Sequence, residues 1–227
     1  MQRSLVGSEM CIRDRFMAEL KFDWSACIVS GGAELINRVE AARAEYSSVC
    51  SEYFDYLVSK AGKTGVHGDR FEESACGFLL LDNLLKKNGI DRRDLAIMRD
   101  SGGRPCIINR SDIDFSISHS EGAALCCLAI GADASVGADI QHARETDPQR
   151  IEELAKTFMQ QRELHMLQIS SAADRKNMFY HEWTRRESYF KRCGQDDLPM
   201  SGIFREGIIR ACGREYYYCI SLPENDD

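Results

Sequence analysis

"FYHEWTRRESYFKRCG" runs from Phe179 to Gly194. Its apolar residues suit a packed helix, yet Arg185, Arg186, Glu187, Lys191 and Arg192 crowd into two turns. On a helix, Trp183, Glu187 and Lys191 recur at i, i+4 and i+8 and so line one side. An ordinary surface ion pair would stabilise the helix by only about 0.2–0.5 kcal/mol. A charged pair set beside Trp183 and Phe190 is costly to desolvate, which marks a candidate site.

Two other short pieces carry polar groups in useful places. In "FSISHSEG", Phe115 to Gly122, a strand ends in Ser118-His119-Ser120 and a glycine follows. Hydroxyls and an imidazole at a strand end can donate to phosphate oxygens; the plainer reading is a polar turn with an exposed histidine. In "SVGADIQ", Ser135 to Gln141, Gly137 permits close backbone approach. Strand alternation puts Ala138 and Ile140 on one face and Asp139 and Gln141 on the other. A carboxylate and an amide on one face can hold a hard cation such as Mg²⁺; the plainer reading is a solvent face beside a buried one.

The order of elements sets the fold class. "FDWSACIVS" reads as a strand, "AELINRVEAARAEYSSVCSEYFDYLVSK" as one long helix or two broken ones, and "FEESACGFLLLDNLLKKNG" as a helix with an Asn-Gly stop. Short strands follow from Leu95 to Ile140, with turn residues between them. Helices are expected at Arg150 to Phe158, Gln161 to Gln168 and Ala173 to Cys193, and strands from Ile203 onward. Strand, helices, strands, and then the same again, predicts an α+β fold of two similar lobes joined near Ala134. Residues 17–134 would form the N-terminal lobe and 135–227 the C-terminal lobe. Residues 1–16 are expected to be a non-native or disordered leader, with the natural start at Met17. Gly62-Lys63-Thr64 looks like the end of a phosphate-binding loop, but Leu57 stands where its first glycine is required.

Composition narrows the functional classes. A chain of 227 residues is long enough for a sizeable core. No apolar run nears the roughly 20 residues that span a bilayer, and no secretory signal is visible, so a cytoplasmic protein without membrane contact is expected. A net charge of −7 argues against general nucleic-acid binding. The ten cysteines include no Cys-x-x-Cys, so they read as reduced, mostly buried thiols.

Together, "GRP" (Gly103 to Pro105), "FSISHS", "VGADIQ", "FMQQRE" (Phe158 to Glu163) and "FYHEWTRRESYFKRCG" resemble the 4′-phosphopantetheinyl transferase superfamily, in its larger Sfp-type branch. The resemblance implies two pseudo-symmetric lobes, each a small, mainly antiparallel sheet on a long helix, with coenzyme A in the cleft between them. It implies transfer of phosphopantetheine from coenzyme A to a serine of an apo acyl or peptidyl carrier protein, releasing 3′,5′-ADP, with Mg²⁺ at the pyrophosphate. On this resemblance Asp139 and Glu187 are metal ligands, with Gln141 a third candidate. Glu187 is also the base, directly or through a water. Lys191 meets a pyrophosphate oxygen, while Arg104, Ser118 and His119 bind nucleotide phosphates. Glu163 matches a further acidic position of the family. A monomer is expected, because two fused lobes complete a cleft within one chain.

The sequence departs from the family at several points. Gln141 stands where many relatives have glutamate, and Arg186 where they have lysine. Relatives carry basic residues for the adenosine 3′-phosphate at positions occupied here by Glu72 and Leu81, leaving Arg70 as the expected substitute. A catalytically weak or inactive relative that docks a carrier protein or nucleotide is the alternative function. A serine hydrolase using Ser118 and His119 is disfavoured: adjacent strand residues face opposite ways, and no Gly-x-Ser-x-Gly elbow exists.

Overall fold

The computed structural model describes residues 20–29, 33–59, 70–132, 134–194 and 199–224. The expected leader, the Gly62-Lys63-Thr64 stretch and the side chain of Arg70 lie outside the described residues. The first lobe runs β1 (Lys21–Ile28), α1 (Ala33–Arg43), α2 (Ser51–Ser59), α3 (Arg70–Lys87), β2 (Ile97–Arg99), β3 (Pro105–Ile107), β4 (Ile113–Ser120) and β5 (Ala123–Ile130). The second runs β6 (Gly137–His142), α4 (Pro148–Ala155), α5 (Gln161–Ile169), α6 (Ala172–Cys193), β7 (Ile203–Ala211) and β8 (Arg214–Leu222). The stretch from residue 33 to 59 is thus two helices, broken around a 3₁₀ turn at Ser48–Cys50.

The two halves repeat one topology. Their sheets are ordered β1-β5-β4 and β6-β8-β7, with every pairing antiparallel. In each, the first strand pairs with the last and the last with the one before it. β2 and β3 form a separate ribbon, whose turn uses Gly103 at φ +84°.

Alternation along the strands builds three cores. On β5, Ala124, Cys126 and Leu128 join Phe78, Leu81 and Leu85 of α3. The other face of β5, with Leu125, Cys127 and Ala129, meets Ala138 and Ile140 of β6 and Tyr216, Tyr218 and Ile220 of β8. Tyr217 turns the opposite way, onto Phe179 and Tyr180 of α6. The sheets therefore face each other across a shared apolar interior, with helices on both outer sides. β5 is buried on both faces, which is why it reads as an unbroken apolar run. The nine described cysteines are free thiols, five of them buried. Among the described residues, no helix is long and apolar enough to cross a membrane.

Caps fix the two long helices. Glu72 and Glu73 open α3 and Lys86 and Lys87 close it, matching its dipole. The Ser171 side chain caps the start of α6, and Gly194, at φ +70°, ends it.

A row of hydroxyls joins the lobes. β6 is an edge strand, so its outward N–H groups need partners other than a neighbouring strand. Ser116, Ser118 and Ser120 of β4 accept the N–H groups of Ala138, Ile140 and His142 at 3.0, 3.3 and 3.0 Å. Beside this row, Asp114 accepts the Val136 N–H at 2.9 Å and pairs with Arg104 at 3.2 Å. Arg104 also donates to the carbonyls of Phe115, Val136 and Lys191.

β6 also lies against α6. A Cβ on Gly137 would fall 1.8 Å from the Ser188 carbonyl oxygen and 2.6 Å from the Arg192 nitrogen, both rigid helix backbone. The expected close approach at Gly137 is therefore present, and its partner is α6.

Two stability predictions follow from this seam. Ser116→Ala strands the buried Ala138 N–H and should cost about 1–3 kcal/mol, with faster hydrogen exchange at that amide. Gly137→Ala must push α6 off β6 and should cost about 3 kcal/mol or more in chemical denaturation. A neutral result would show that strand and helix are less tightly apposed than this.

Candidate active site

The site is built where β4, β6 and α6 meet. Asp139 extends from β6 on the face that Gly137 turns towards α6, and alternation puts Gln141 on the same face. The Lys191 ammonium of α6 lies 2.6 Å from Asp139 Oδ1. Ser118 Oγ of β4 donates to the same oxygen at 2.9 Å and accepts from Lys191 at 2.9 Å. Asp139 Oδ2 is buried and has no hydrogen-bond partner among the described residues. Glu187 stands one turn before Lys191, half-buried, on the side of α6 expected from the i, i+4 spacing.

This arrangement concentrates charge at low solvent exposure. The Asp139 side chain is 8% exposed and that of Lys191 27%. Removing the lysine would leave a buried carboxylate uncompensated, a change that costs about 3–5 kcal/mol in comparable pairs. Trp183 packs edge-on against Phe158 and tilted against Phe179. It seats the helix, as expected. Phe190 is half exposed, so the apolar cover expected from it is incomplete.

The remaining sequence candidates divide between this cluster and its surroundings. Ser118 is inside it. His119 points to the other face of β4, with Nδ1 3.0 Å from Glu73 of α3. Arg104 has its guanidinium engaged at the lobe junction, and its contact with the Lys191 carbonyl ties that junction to α6. Leu81 is fully buried in the first-lobe core and presents nothing to a ligand. Glu163 caps the Gln160 N–H at 2.7 Å and pairs with the buried Arg186 at 2.9 Å, bolting α5 to α6.

Sequence reading missed Glu73, Asp114 and the use of three alternate serines. The serines left a signal: Ser116, Ser118 and Ser120 share one strand face by spacing alone. Glu73 and Asp114 left none, because each acts on a partner from a distant segment.

A separate groove of about 600 Å³ lies between α5, α6 and β7, lined in part by Met159, Met166, Met178, Glu163, Glu182 and Glu206. Asp139 and Lys191 do not line it. Burial raises the Glu182 carboxyl above the usual range, with Glu163 adding to the shift and Arg185 and Arg186 opposing it. A carboxyl raised in the folded state destabilises the fold where it must ionise, and that penalty vanishes below its unfolded value near about 4.3. Glu182→Gln should therefore raise the melting temperature near neutral pH and match the parent chain at about pH 3.5. Equal melting temperatures at both pH values would remove this penalty.

Residues 135–206 match the family model of the 4′-phosphopantetheinyl transferase superfamily. That span holds Asp139, Gln141, Glu163, Arg186, Glu187 and Lys191. The chain is 30% identical over 118 residues to the 4′-phosphopantetheinyl transferase HetI of Nostoc sp. (strain PCC 7120), covering 51% of this chain and 48% of that protein. It is 27% identical over 139 residues to the 4′-phosphopantetheinyl transferase Sfp of Bacillus subtilis (strain 168), covering 60% and 59%. A further 4′-phosphopantetheinyl transferase of Bacillus subtilis is 29% identical over 119 residues, covering 52% and 50%. The matched stretches thus span roughly half the length of these curated relatives. Through residues 135–206 and these partial matches, the chain is similar to the 4′-phosphopantetheinyl transferase superfamily.

Proposed function

We propose that this chain transfers the 4′-phosphopantetheine arm of coenzyme A to a serine of an apo acyl or peptidyl carrier protein, as a cytoplasmic monomer. The observation that carries this reading is the meeting of Asp139 and Lys191 at 2.6 Å, with Glu187 one helical turn away. Two motifs some fifty residues apart in the chain thereby share one charged point.

The donor set fits a magnesium ion. Mg²⁺ takes oxygen ligands, typically one or two carboxylates, and completes its shell with water and substrate phosphates. Asp139 Oδ2 is a buried carboxylate oxygen without a hydrogen-bond partner among the described residues, which is what such a ligand looks like before it is used. Asp139 and Glu187 would hold the ion, and Gln141 offers a neutral amide oxygen from the same face of β6. When bound, Mg²⁺ supplies positive charge beside the pyrophosphate of coenzyme A.

The chain's own groups account for the rest of the transfer. Lys191 reaches into the site from α6 and would exchange Asp139 for a pyrophosphate oxygen. Glu187 accepts the proton of the incoming serine, directly or through a water. The serine oxygen bonds to the phosphorus that bears the pantetheine arm, the bond from that phosphorus to the bridging oxygen breaks, and 3′,5′-ADP leaves with the electron pair. Ser118, fixed by the Ile140 N–H, keeps Asp139 pointed at the cleft. Arg104 holds the two lobes in the register that the cleft requires.

The test is a mass measurement. Incubating the chain with coenzyme A, Mg²⁺ and an apo carrier should add one phosphopantetheine to the carrier. Glu187→Gln should slow that gain by at least about 100-fold with the melting temperature retained. Carrier binding without any mass gain would instead establish a binding module, and an unchanged rate in Glu187→Gln would remove Glu187 from its role.

A further inference from the structure

His119 and Glu73 form a unit outside the Asp139–Lys191–Ser118 cluster. His119 ends β4 on the face away from Ser118, with Nδ1 3.0 Å from one Glu73 carboxylate oxygen. The other Glu73 oxygen accepts the Gly122 backbone N–H at 2.7 Å. Ser74 Oγ stands 3.5 Å from the second ring nitrogen, Nε2. The Glu73 side chain is 13% exposed, while that of His119 is 34% exposed. The carboxylate is thus held from two sides, and the ring keeps an accessible edge.

The turn that Glu73 grips is itself fixed from the second lobe. Glu121 adopts φ +41°, a conformation that side-chain-bearing residues rarely take. Its carbonyl accepts from Arg214 at 2.7 Å and Tyr216 at 3.0 Å, and its carboxylate lies 2.7 Å from His142 Nδ1. A pair of mobile surface side chains would contribute little. Here the carboxylate is anchored to a strained turn clamped between lobes, so the ring it holds has a defined orientation.

We propose that Glu73 is a positioning residue that orients His119 for a phosphate of the nucleotide. This rests on the transferase reading above. A ring that donates Nδ1–H to a carboxylate can offer Nε2–H to a phosphate only as the imidazolium. Glu73 acts through the ring and does not touch the nucleotide. The opposite reading is that an acidic first turn of α3 repels phosphate, and the two differ in sign.

The experiment measures 3′,5′-ADP binding by calorimetry to the full chain, to Glu73→Gln, to His119→Gln and to the double variant. Glutamine keeps the size of Glu73 and an oxygen for the Gly122 N–H. Glu73→Gln should weaken binding about tenfold, the loss of one charge-assisted hydrogen bond. In the His119→Gln background the same change should do nothing further. In turnover, the KM for coenzyme A should rise while kcat stays within about twofold. Nitrogen-15 NMR of the parent chain should show both His119 ring nitrogens protonated when 3′,5′-ADP is bound, a readout that needs no variant to fold. Equal or tighter binding by Glu73→Gln, the same loss in both backgrounds, or an unprotonated Nε2 in the complex would each overturn the inference while leaving the transferase reading in place. A parent chain that neither binds 3′,5′-ADP nor modifies a carrier would overturn both.

Discussion

The structure turns on how the free edge of β6 is satisfied. An edge strand buried in an interior cannot leave its N–H groups unpaired, since each one costs a large part of a hydrogen bond. Here the partners are side-chain hydroxyls from another sheet, Ser116, Ser118 and Ser120, rather than a further strand. That choice sets the lobes at one register. Because Ser118 belongs to the row, it also fixes the distance from β4 to Asp139. A strand in place of the serines would pair the same edge but lose the Ser118 contact with Asp139.

The charged cluster inherits its geometry from this seam and from Gly137. The missing Cβ at Gly137 lets α6 approach β6 closely enough for Lys191 to reach Asp139. The lysine neutralises a carboxylate that burial would otherwise penalise. Both charges are matched within the cluster, with Ser118 bridging them. Arg186 and Glu163 work differently: their pairing binds α5 to α6.

Much of the fold was legible because local patterns and tertiary burial agree. The unbroken apolar run of "ALCCLAI" has strand length, and the structure buries β5 on both faces. The separation of Ala138 and Ile140 from Asp139 and Gln141 followed from the pleat, and the apolar pair does enter the core. Trp183 was placed correctly against the helix layer. Phe190 was not: periodicity gives a side of the helix, but whether that side is covered depends on a neighbour that the local sequence does not name. The same limit hid the junction role of Arg104, whose partners come from β4, from the start of β6 and from α6.

By itself, the sequence determined which residues can share a face. Pleat and helix periods are local properties of the backbone, so Asp139 with Gln141, and Glu187 with Lys191, were fixed before any packing was known. The tertiary structure alone decided which faces meet. It set Asp139 against Lys191 and Ser118, turned His119 away towards Glu73, and buried Leu81 out of reach. These contacts join segments far apart in the chain, and their free energy comes from burial and backbone satisfaction summed over both lobes, which no short stretch of sequence contains.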